Sequence, residues 1–249
     1  MAGIPDTLKG RSYTRVSDWS REELELAIDL ADELKQERIR RKELRVLPGR
    51  TIGMIFHKPS TRTRVGFEVG IAELGGMALY LPAADLQLAR GESYRDTALV
   101  LSRFVSALLI RTFDQAEVDT FAEHASIPVI NGLTDLAHPL QALADAMTIR
   151  EQLGGLDGAD DADVLYTDVW TSMGQEDQRE QRLLDLERFS LDGELLSVAK
   201  RSAVAMHCLP AHVGEEITED VLYGPRSLVW DQAENRLHTQ KAVMALVIR

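Results

Sequence analysis

The stretch from Phe56 to Glu68, FHKPSTRTRVGFE, is unusually rich in hydrogen-bond donors. Positions 60–64 carry five consecutive donor side chains between an apolar run and a helical pattern. A serine at a helix start caps the helix, and the free amides of the next turn face outward at the positive end of the dipole. Arg62 adds a charged fork that suits phosphate oxygens. A capped helix with surface arginines is the alternative, but five donors in a row favour an anion site.

Polar side chains also follow other apolar runs. Arg111 ends the run ALLIRT, and the motif HPLQ places His138 and Gln141 three positions apart at a helix start. A neutral histidine there can donate to a carbonyl, and Gln141 can accept from an amide. Taken singly, Arg111 resembles a surface residue and His138 a cap or core residue. Together with the donors at 60–64, they predict one anion site.

The second half of the chain carries a different set of polar residues. Asp168 and Ser172, in DVWTSMG, place a carboxylate and a hydroxyl at a strand end, which suits a ligand with an amine. Cys208 follows another apolar run without an evident base partner, so we predict no thiol nucleophile and note that a lone cysteine is usually buried. Arg236 lies on the last helical segment, where an ion-paired solvated face is the alternative.

The elements that must position these residues alternate between strand and helix patterns, which predicts an α/β fold with doubly wound parallel sheets. Strands are predicted at 51–56, 77–81, 107–112, 127–131, 162–170, 203–208 and 227–232. Helices are predicted at 21–41 with Ser20 as N-cap, and at 61–74, 93–105, 114–125, 139–153, 174–187, 193–200 and 233–248.

The stretch LGGLDGADDAD, at 153–163, is the best linker candidate because it is rich in Gly and Asp and weakly apolar. It divides the chain into two predicted doubly wound domains, residues 1–153 and 154–232. The second domain is shortened, with three recognisable strands. Residues 233–249 are predicted to form a C-terminal helix that packs back on the first domain.

Composition narrows the class of protein further. The net charge of −12 disfavours a nucleic-acid partner and requires any phosphate site to be local, because the overall field repels anions. The single cysteine excludes an internal disulfide and fits a reducing compartment. No run of 18 apolar residues and no apolar segment of signal-peptide type occur. We therefore expect a cytoplasmic protein with neither a nucleic-acid nor a membrane partner.

Seven ordered motifs resemble those of the carbamoyltransferases, and in particular the ornithine carbamoyltransferases. STRTR and HPxQ are shared with the aspartate enzymes, whereas DVWxSMG together with HCLP points to ornithine. The matching stretches are FHKPSTRTRVGFEVG, QLARGES, IRTF, HPLQALAD, YTDVWTSMGQE, MHCLPAHVGEEIT and DQAENRLHTQKA. The resemblance implies a carbamoyl phosphate-binding first domain and an ornithine-binding second domain.

The resemblance also implies a role for each matching residue. The implied reaction is direct attack of the neutral δ-amine of ornithine on carbamoyl phosphate, with no metal or organic cofactor, in a homotrimer. Carbamoyl phosphate would be bound by Ser60, Thr61, Arg62, Thr63, Gln87, Arg111, His138, Gln141, Cys208, Leu209 and Arg236. Ornithine would be bound by Asp168, Ser172 and Met173, and the catalytic residues would be Arg111, His138, Cys208 and Arg236.

The chain departs from the family pattern in two places. Leu140 stands where the family often has cysteine. After Gly158 the sequence runs almost directly into Ala162, where the family continues; at roughly 30 residues per unit, about two βα units are absent, including a loop whose asparagine contacts ornithine in the family.

Three functions therefore stay open at the level of sequence. The first is an active ornithine carbamoyltransferase in arginine metabolism. The second is a catalytically impaired remnant that binds only carbamoyl phosphate or phosphate, or that associates with intact relatives. The third, an aspartate enzyme, is disfavoured by DVWTSMG.

Overall fold

A computed structural model describes residues 4–42, 44–154, 163–171 and 176–248. The chain forms two compact units. Unit 1 comprises Met1–Met147 and Arg236–Arg249, and unit 2 comprises Thr148–Asn235. Within the described residues, no helix combines the length and the apolar character needed to cross a membrane.

The described elements alternate between strand and helix in both units, as predicted. The strands are β1 (Thr51–Phe56), β2 (Met77–Pro82), β3 (Ala107–Arg111), β4 (Val129–Leu133), β5 (Val164–Thr167) and β6 (Val204–His207). The helices are α1 (Arg21–Ile39), α2 (Thr61–Glu73), α3 (Tyr94–Leu101), α4 (Gln115–His124), α5 (Pro139–Leu153), α6 (Arg179–Leu186), α7 (Gly193–Val198), α8 (Glu219–Leu222) and α9 (Val229–Val247).

The sheet of unit 1 is parallel and has the order β2-β1-β3-β4. Its first crossover runs from β1 outward to β2, and the next one returns to β3 on the opposite side of β1. The direction of winding therefore reverses between β1 and β3. In open α/β sheets, ligands bind beyond the carboxyl ends of the strands at this switch point. The fold thus identifies the ends of β1 and β3 as the place to look for a site.

Both faces of this sheet are covered, which explains why its central strands are continuously apolar. On β3, Leu109 packs into a large cluster that includes residues of α1, α2, α5 and α9. Its neighbour Leu108 points to the other face, into a cluster that includes residues of α3 and α4. The alternation of side chains along a strand produces this split. The predicted doubly wound fold of the first half is confirmed.

The described part of unit 2 contains a parallel pair of strands, β5 and β6. Its core is small, and α6 contributes no buried side chain to it. Large apolar side chains accordingly remain exposed, among them Leu184, Phe189 and Val198. The expectation that a shortened second domain exposes apolar helix faces stays a prediction. The predicted linker at 153–163 lies mostly outside the described residues.

The predicted strand at 227–232 is wrong. Ser227 makes only an isolated bridge with Ala205, and α9 begins at Val229. The Leu228 amide still donates to the Ala205 carbonyl at 2.9 Å, after which the chain turns helical. A short apolar run does not by itself distinguish a strand from the start of a buried helix. The terminal helix therefore begins at Val229, four residues before the start of the predicted helix at 233–248.

Candidate active site

Helix α2 begins beyond the end of β1 with the predicted cap. The Ser60 side chain accepts a hydrogen bond from the Thr63 amide at 3.2 Å. As at every helix start, the first-turn amides have no acceptor in a preceding turn of the helix. The positive end of the helix dipole adds to them. Ser60 is thus confirmed as the cap of α2, and the anion site at this helix start stays a prediction.

The buried hydroxyl of Thr63 joins two arginines from distant parts of the chain. Arg236 Nη2 on α9 donates to Thr63 Oγ1 at 2.7 Å. Arg111 Nη1, at the end of β3, lies 3.5 Å from the same oxygen and 3.4 Å from the Gly132 carbonyl. Because Oγ1 accepts from both arginines, the Thr63 proton is left to donate elsewhere.

Positive charge is concentrated at this point although the chain as a whole is acidic. Burial, and then the neighbouring charges of Arg236 and Arg62, lower the pKa of Arg111 to about 10. The charge on each of these three guanidinium groups thus makes the charged state of the others less favourable. A bound anion would reverse this repulsion, which is why such a cluster suits phosphate.

His138 lies beside these arginines in its neutral form. Burial, and then the charges of Arg236 and Arg111, hold the pKa of His138 well below its usual 6.5. Arg236 Nη2 lies 3.5 Å from His138 Nε2, and since an arginine can only donate, Nε2 is the acceptor. The ring proton is then on Nδ1, a buried atom with no hydrogen-bond partner among the described residues. His138 is accordingly a neutral donor.

Gln141, one turn further along α5, offers the complementary acceptor. Its amide nitrogen donates to Asp145 Oδ1 at 2.8 Å, which orients the side chain. Its oxygen is buried and has no hydrogen-bond partner within the described part of the chain. The first turns of α5 thus carry a potential donor, His138 Nδ1, and a potential acceptor, the Gln141 oxygen.

Gln87 lies between β2 and α3. It begins a short 3₁₀ helix, Gln87–Arg90, and is exposed. Its side-chain oxygen lies 3.5 Å from Arg90 Nη1. The proposed role of Gln87 in binding carbamoyl phosphate stays a prediction.

Sequence reasoning missed Lys58, which supports the loop before Ser60. Its side chain is 3% exposed, is bonded to the Asp135 carboxylate, and has Nζ 4.2 Å from the centroid of the Phe113 ring. Asp135 stands three residues before His138. Lys58 therefore ties the loop that starts α2 to the loop that starts α5. Only its position beside the donor run could have drawn attention to it.

In unit 2, the structure brings together two of the predicted residues. Cys208 Sγ lies 2.9 Å from Asp168 Oδ1, which also accepts from the Val169 amide at 2.7 Å. Leu209, next in the chain, has φ of +60°, which is rare for a branched residue. The other two predicted ornithine-binding residues, Ser172 and Met173, lie outside the described residues.

The side chains of Asp168, His207 and Cys208 are close enough to share a cation, since their potential ligand atoms all lie within 4.8 Å of one another. Both ring nitrogens of His207 are, however, already in hydrogen bonds. Nδ1 accepts from the Leu209 amide at 2.8 Å, and Nε2 lies 3.2 Å from Glu216 Oε1. This arrangement does not favour a metal centre.

Two protein-family models match the chain. Residues 11–151 match the aspartate/ornithine carbamoyltransferase carbamoyl-P binding domain, and residues 137–247 match the Asp/Orn binding domain of the same enzymes. The chain belongs to the aspartate/ornithine carbamoyltransferase family.

Individual members of the aspartate/ornithine carbamoyltransferase family agree with this assignment. The ornithine carbamoyltransferase of Thermococcus kodakarensis is 43% identical over 307 residues, which cover 97% of this chain and 98% of the relative. The solved ornithine carbamoyltransferase of Pyrococcus furiosus is 42% identical with a TM-score of 0.91, covering 97% of this chain and 98% of that one. The Thermus thermophilus structure is 36% identical with a TM-score of 0.88, covering 99% and 100%.

These comparisons also confirm that the chain is shortened relative to its family. The match to the T. kodakarensis enzyme extends over 307 residues, whereas this chain has only 249. Since 97% of this chain and 98% of the relative are covered, the missing positions lie within the match and not at its ends. The predicted place of the shortening, near 153–163, stays a prediction.

Proposed function

We propose that this protein is an ornithine carbamoyltransferase, which converts carbamoyl phosphate and L-ornithine into L-citrulline and phosphate. The observation that carries the proposal is the group around Thr63. It combines a helix start, guanidinium groups that repel one another, a neutral histidine donor and an amide acceptor. The family to which the chain belongs supports the same reaction.

The phosphate group of carbamoyl phosphate is proposed to bind at the start of α2. Its oxygens would accept from the amides and hydroxyls of residues 60–63 and from the guanidinium groups of Arg62, Arg111 and Arg236. Charge-assisted hydrogen bonds of this kind are about twice as strong as neutral ones. Binding would also relieve the repulsion that lowers the pKa of Arg111.

The carbamoyl group is proposed to lie against the start of α5. The Thr63 hydroxyl, Arg111 and the Nδ1 proton of His138 would donate to its oxygen, and the Gln141 oxygen would accept from its amide. These donors are already oriented, so they stabilise the negative charge that develops on that oxygen without reorganising during the reaction. A neutral His138 fits this role because a third charged donor would add repulsion beside the two arginines.

The acceptor substrate is proposed to bind to unit 2. Asp168, Ser172 and Met173 would hold the amino-acid end of ornithine, and Cys208 would lie near its δ-amine. The neutral δ-nitrogen attacks the carbonyl carbon, the C–N bond forms and the nitrogen loses a proton. The C–O bond to phosphate then breaks, and phosphate leaves with the bonding electron pair. Bringing the two substrates together would supply much of the rate enhancement.

The proposed function also includes a pathway, a compartment and an assembly state. We propose that the protein acts in arginine metabolism in the cytoplasm, as a homotrimer and without a metal or organic cofactor. Residues 1–153 are proposed as the carbamoyl phosphate domain and 154–232 as the shortened ornithine domain. Gln87 and Leu209 keep the binding roles that the family resemblance gives them.

The direct test measures citrulline and phosphate formed by the purified chain from carbamoyl phosphate and ornithine. We expect equal amounts of both products, and no carbamoyl transfer when aspartate replaces ornithine. The matched control is Arg111→Met, which removes a buried charge that its neighbours repel. It should abolish citrulline formation while leaving the free energy of unfolding equal or higher. Absence of citrulline from the wild-type chain would contradict the proposal.

Because unit 2 is shortened, we also consider a second function, in which the protein binds carbamoyl phosphate without transferring its carbamoyl group. Titration calorimetry with carbamoyl phosphate separates the two functions. Heat of binding without citrulline formation would establish the binding function instead, whereas an active enzyme shows both.

A further inference from the structure

A buried hydrogen-bond network lies behind the turn that carries Cys208 and Leu209. His207, the last residue of β6, is 1% exposed, and Glu216 is fully buried. Glu216 Oε1 lies 3.2 Å from His207 Nε2 and accepts from the His212 amide at 2.6 Å. Burying a carboxylate is energetically unfavourable unless the group is paired and hydrogen-bonded. The position of Glu216 in this network therefore calls for an explanation.

The partners of His207 determine where its ring proton lies. The Leu209 amide donates to Nδ1 at 2.8 Å, so Nδ1 is an acceptor and carries no proton. The proton of the neutral ring must then be on Nε2, from which it is donated to Glu216. A continuous chain of hydrogen bonds therefore runs from the Leu209 amide through the His207 ring to Glu216.

These hydrogen bonds restrain the backbone at Leu209, which has a strained conformation. Leu209 has φ of +60°, a conformation that is unfavourable for a residue with a side chain and persists only when the surroundings enforce it. The bond from its amide to His207 is such a restraint. The His207 backbone is itself held, because its amide donates to Gln232 Oε1 at 2.9 Å. The orientation of the Cys208 thiol toward Asp168 depends on the same turn.

We propose that Glu216, acting through His207, is a positioning residue that holds the turn of Cys208 and Leu209 in the conformation needed for transfer to the amino-acid substrate. The inference rests on the proposed function for the role of that turn. It assigns Glu216 no contact with substrate and no proton transfer. Residues that orient a reacting group through one intermediate side chain commonly control how well that group is placed.

Two substitutions of His207 form a matched pair. In His207→Asn the side-chain oxygen can occupy the place of Nδ1 and accept from the Leu209 amide. In His207→Gln the side-chain amide reaches the place of Nε2, and the acceptor for Leu209 is lost. Asparagine removes more buried volume than glutamine does. If His207 only filled space, His207→Asn would therefore be the more damaging change.

For His207→Gln, we expect kcat/KM for ornithine to fall at least about tenfold, as is typical for small misplacements of a reacting group. His207→Asn should stay within about threefold of the wild type because it keeps the decisive acceptor. Calorimetry should give the same Kd for inorganic phosphate in both variants, because the proposed phosphate site lies in unit 1. Equal losses in the two variants, or a larger loss in His207→Asn, would overturn the proposal.

Glu216→Gln separates positioning from proton transfer. Its side-chain oxygen can still accept from His207 and from the His212 amide, so activity should stay within about threefold of the wild type and keep its pH profile. A loss of several orders of magnitude, or a displaced pH profile, would mean that the charge of Glu216 takes part in the reaction. That result would contradict a purely positioning role.

A readout that does not require activity keeps this inference separate from the proposed function. Cys208 is the only cysteine in the chain, so the rate of its alkylation by iodoacetamide reports on this turn alone. We expect His207→Gln to change that rate at least about fivefold and His207→Asn to leave it near the wild-type value. If the wild type formed no citrulline, the proposed function would fail, while the alkylation rates would still test the network. Unchanged rates in both variants would overturn the inference.

Discussion

Thr63 connects the phosphate-binding and carbonyl-polarising parts of the candidate site, because its hydroxyl accepts from Arg236 and Arg111 and still has a proton to donate. Thr63→Ala should therefore lower kcat/KM for citrulline formation by about 100- to 1,000-fold, in the range seen when one preorganised donor is removed. Thr63→Ser keeps the hydroxyl and should retain most of the activity. Equal losses in the two variants would show that the methyl group, and not the hydroxyl, is what matters.

His138 makes stability depend on pH in a predictable direction. Because its folded pKa lies below the usual 6.5, the unfolded chain binds a proton there more readily than the native one. This contribution is fully present above about pH 6.5 and is lost as the pH falls from 6.5 toward the folded pKa. The slope is at most about 1.4 kcal/mol per pH unit.

Urea unfolding at pH 7 and pH 5 measures this effect, in buffer free of phosphate because a bound anion would favour the protonated ring. The wild type should lose up to about 2 kcal/mol more than His138→Asn over this interval, since the variant cannot titrate. Parallel losses in both proteins would show that His138 is not held neutral in the native state.

At the scale of elements, the start of α2 must serve both as a helix cap and as an anion site. Ser60→Ala removes the bond to the Thr63 amide and should lower the free energy of unfolding by about 1 kcal/mol. Ser60→Asp keeps a good cap but adds a negative charge where phosphate is proposed to bind. It should unfold at nearly the wild-type denaturant concentration while its Kd for phosphate rises at least about tenfold.

Calorimetry and urea unfolding on the same two variants decide this point. We expect Ser60→Ala to be the less stable of the two variants and Ser60→Asp to be the weaker binder of phosphate. If Ser60→Asp bound phosphate as well as the wild type does, the start of α2 would not be the anion site.

Elements that are buried on both sides were the most predictable from sequence. The strands at 51–56 and 107–111 are short apolar runs that end in polar residues, and their pattern alone identifies them. The segment at 227–232 was mistaken for a strand because three apolar residues fit either structure, and the adjoining bond from Leu228 to Ala205 is strand-like. The local sequence pattern does not distinguish strand from helix in this segment, whereas the packing of α9 makes it helical from Val229 onward.

The candidate site was predictable where its residues follow strand ends, as with Arg111, His138 and Gln141. Lys58 and Glu216 were not predictable in this way. Lys58 is bonded to Asp135, 77 positions away, and no periodicity encodes that partner. Glu216 is an acidic residue in a loop, which ordinarily indicates exposure, and only the fold reveals its burial against His207. Supporting residues of this kind depend on three-dimensional neighbours and not on spacing.

At the scale of the whole molecule, large apolar side chains are exposed on both units. In unit 1, the edge strand β2 exposes Met77 and Leu79, and the neighbouring α2 exposes Val65. An uncovered edge with apolar side chains favours association with another chain. We therefore expect the proposed homotrimer to use this edge.

Light scattering after size exclusion tests this expectation. The wild type should show about three times the chain mass of 27.8 kDa at micromolar concentration. Met77→Glu combined with Leu79→Glu should shift the mass toward that of one chain, because charges on an interface strand oppose its burial. The control, Leu184→Glu, changes an even more exposed apolar residue of unit 2 and should leave the mass unchanged. A single-chain mass for the wild type, or dissociation by the control alone, would contradict an interface at β2.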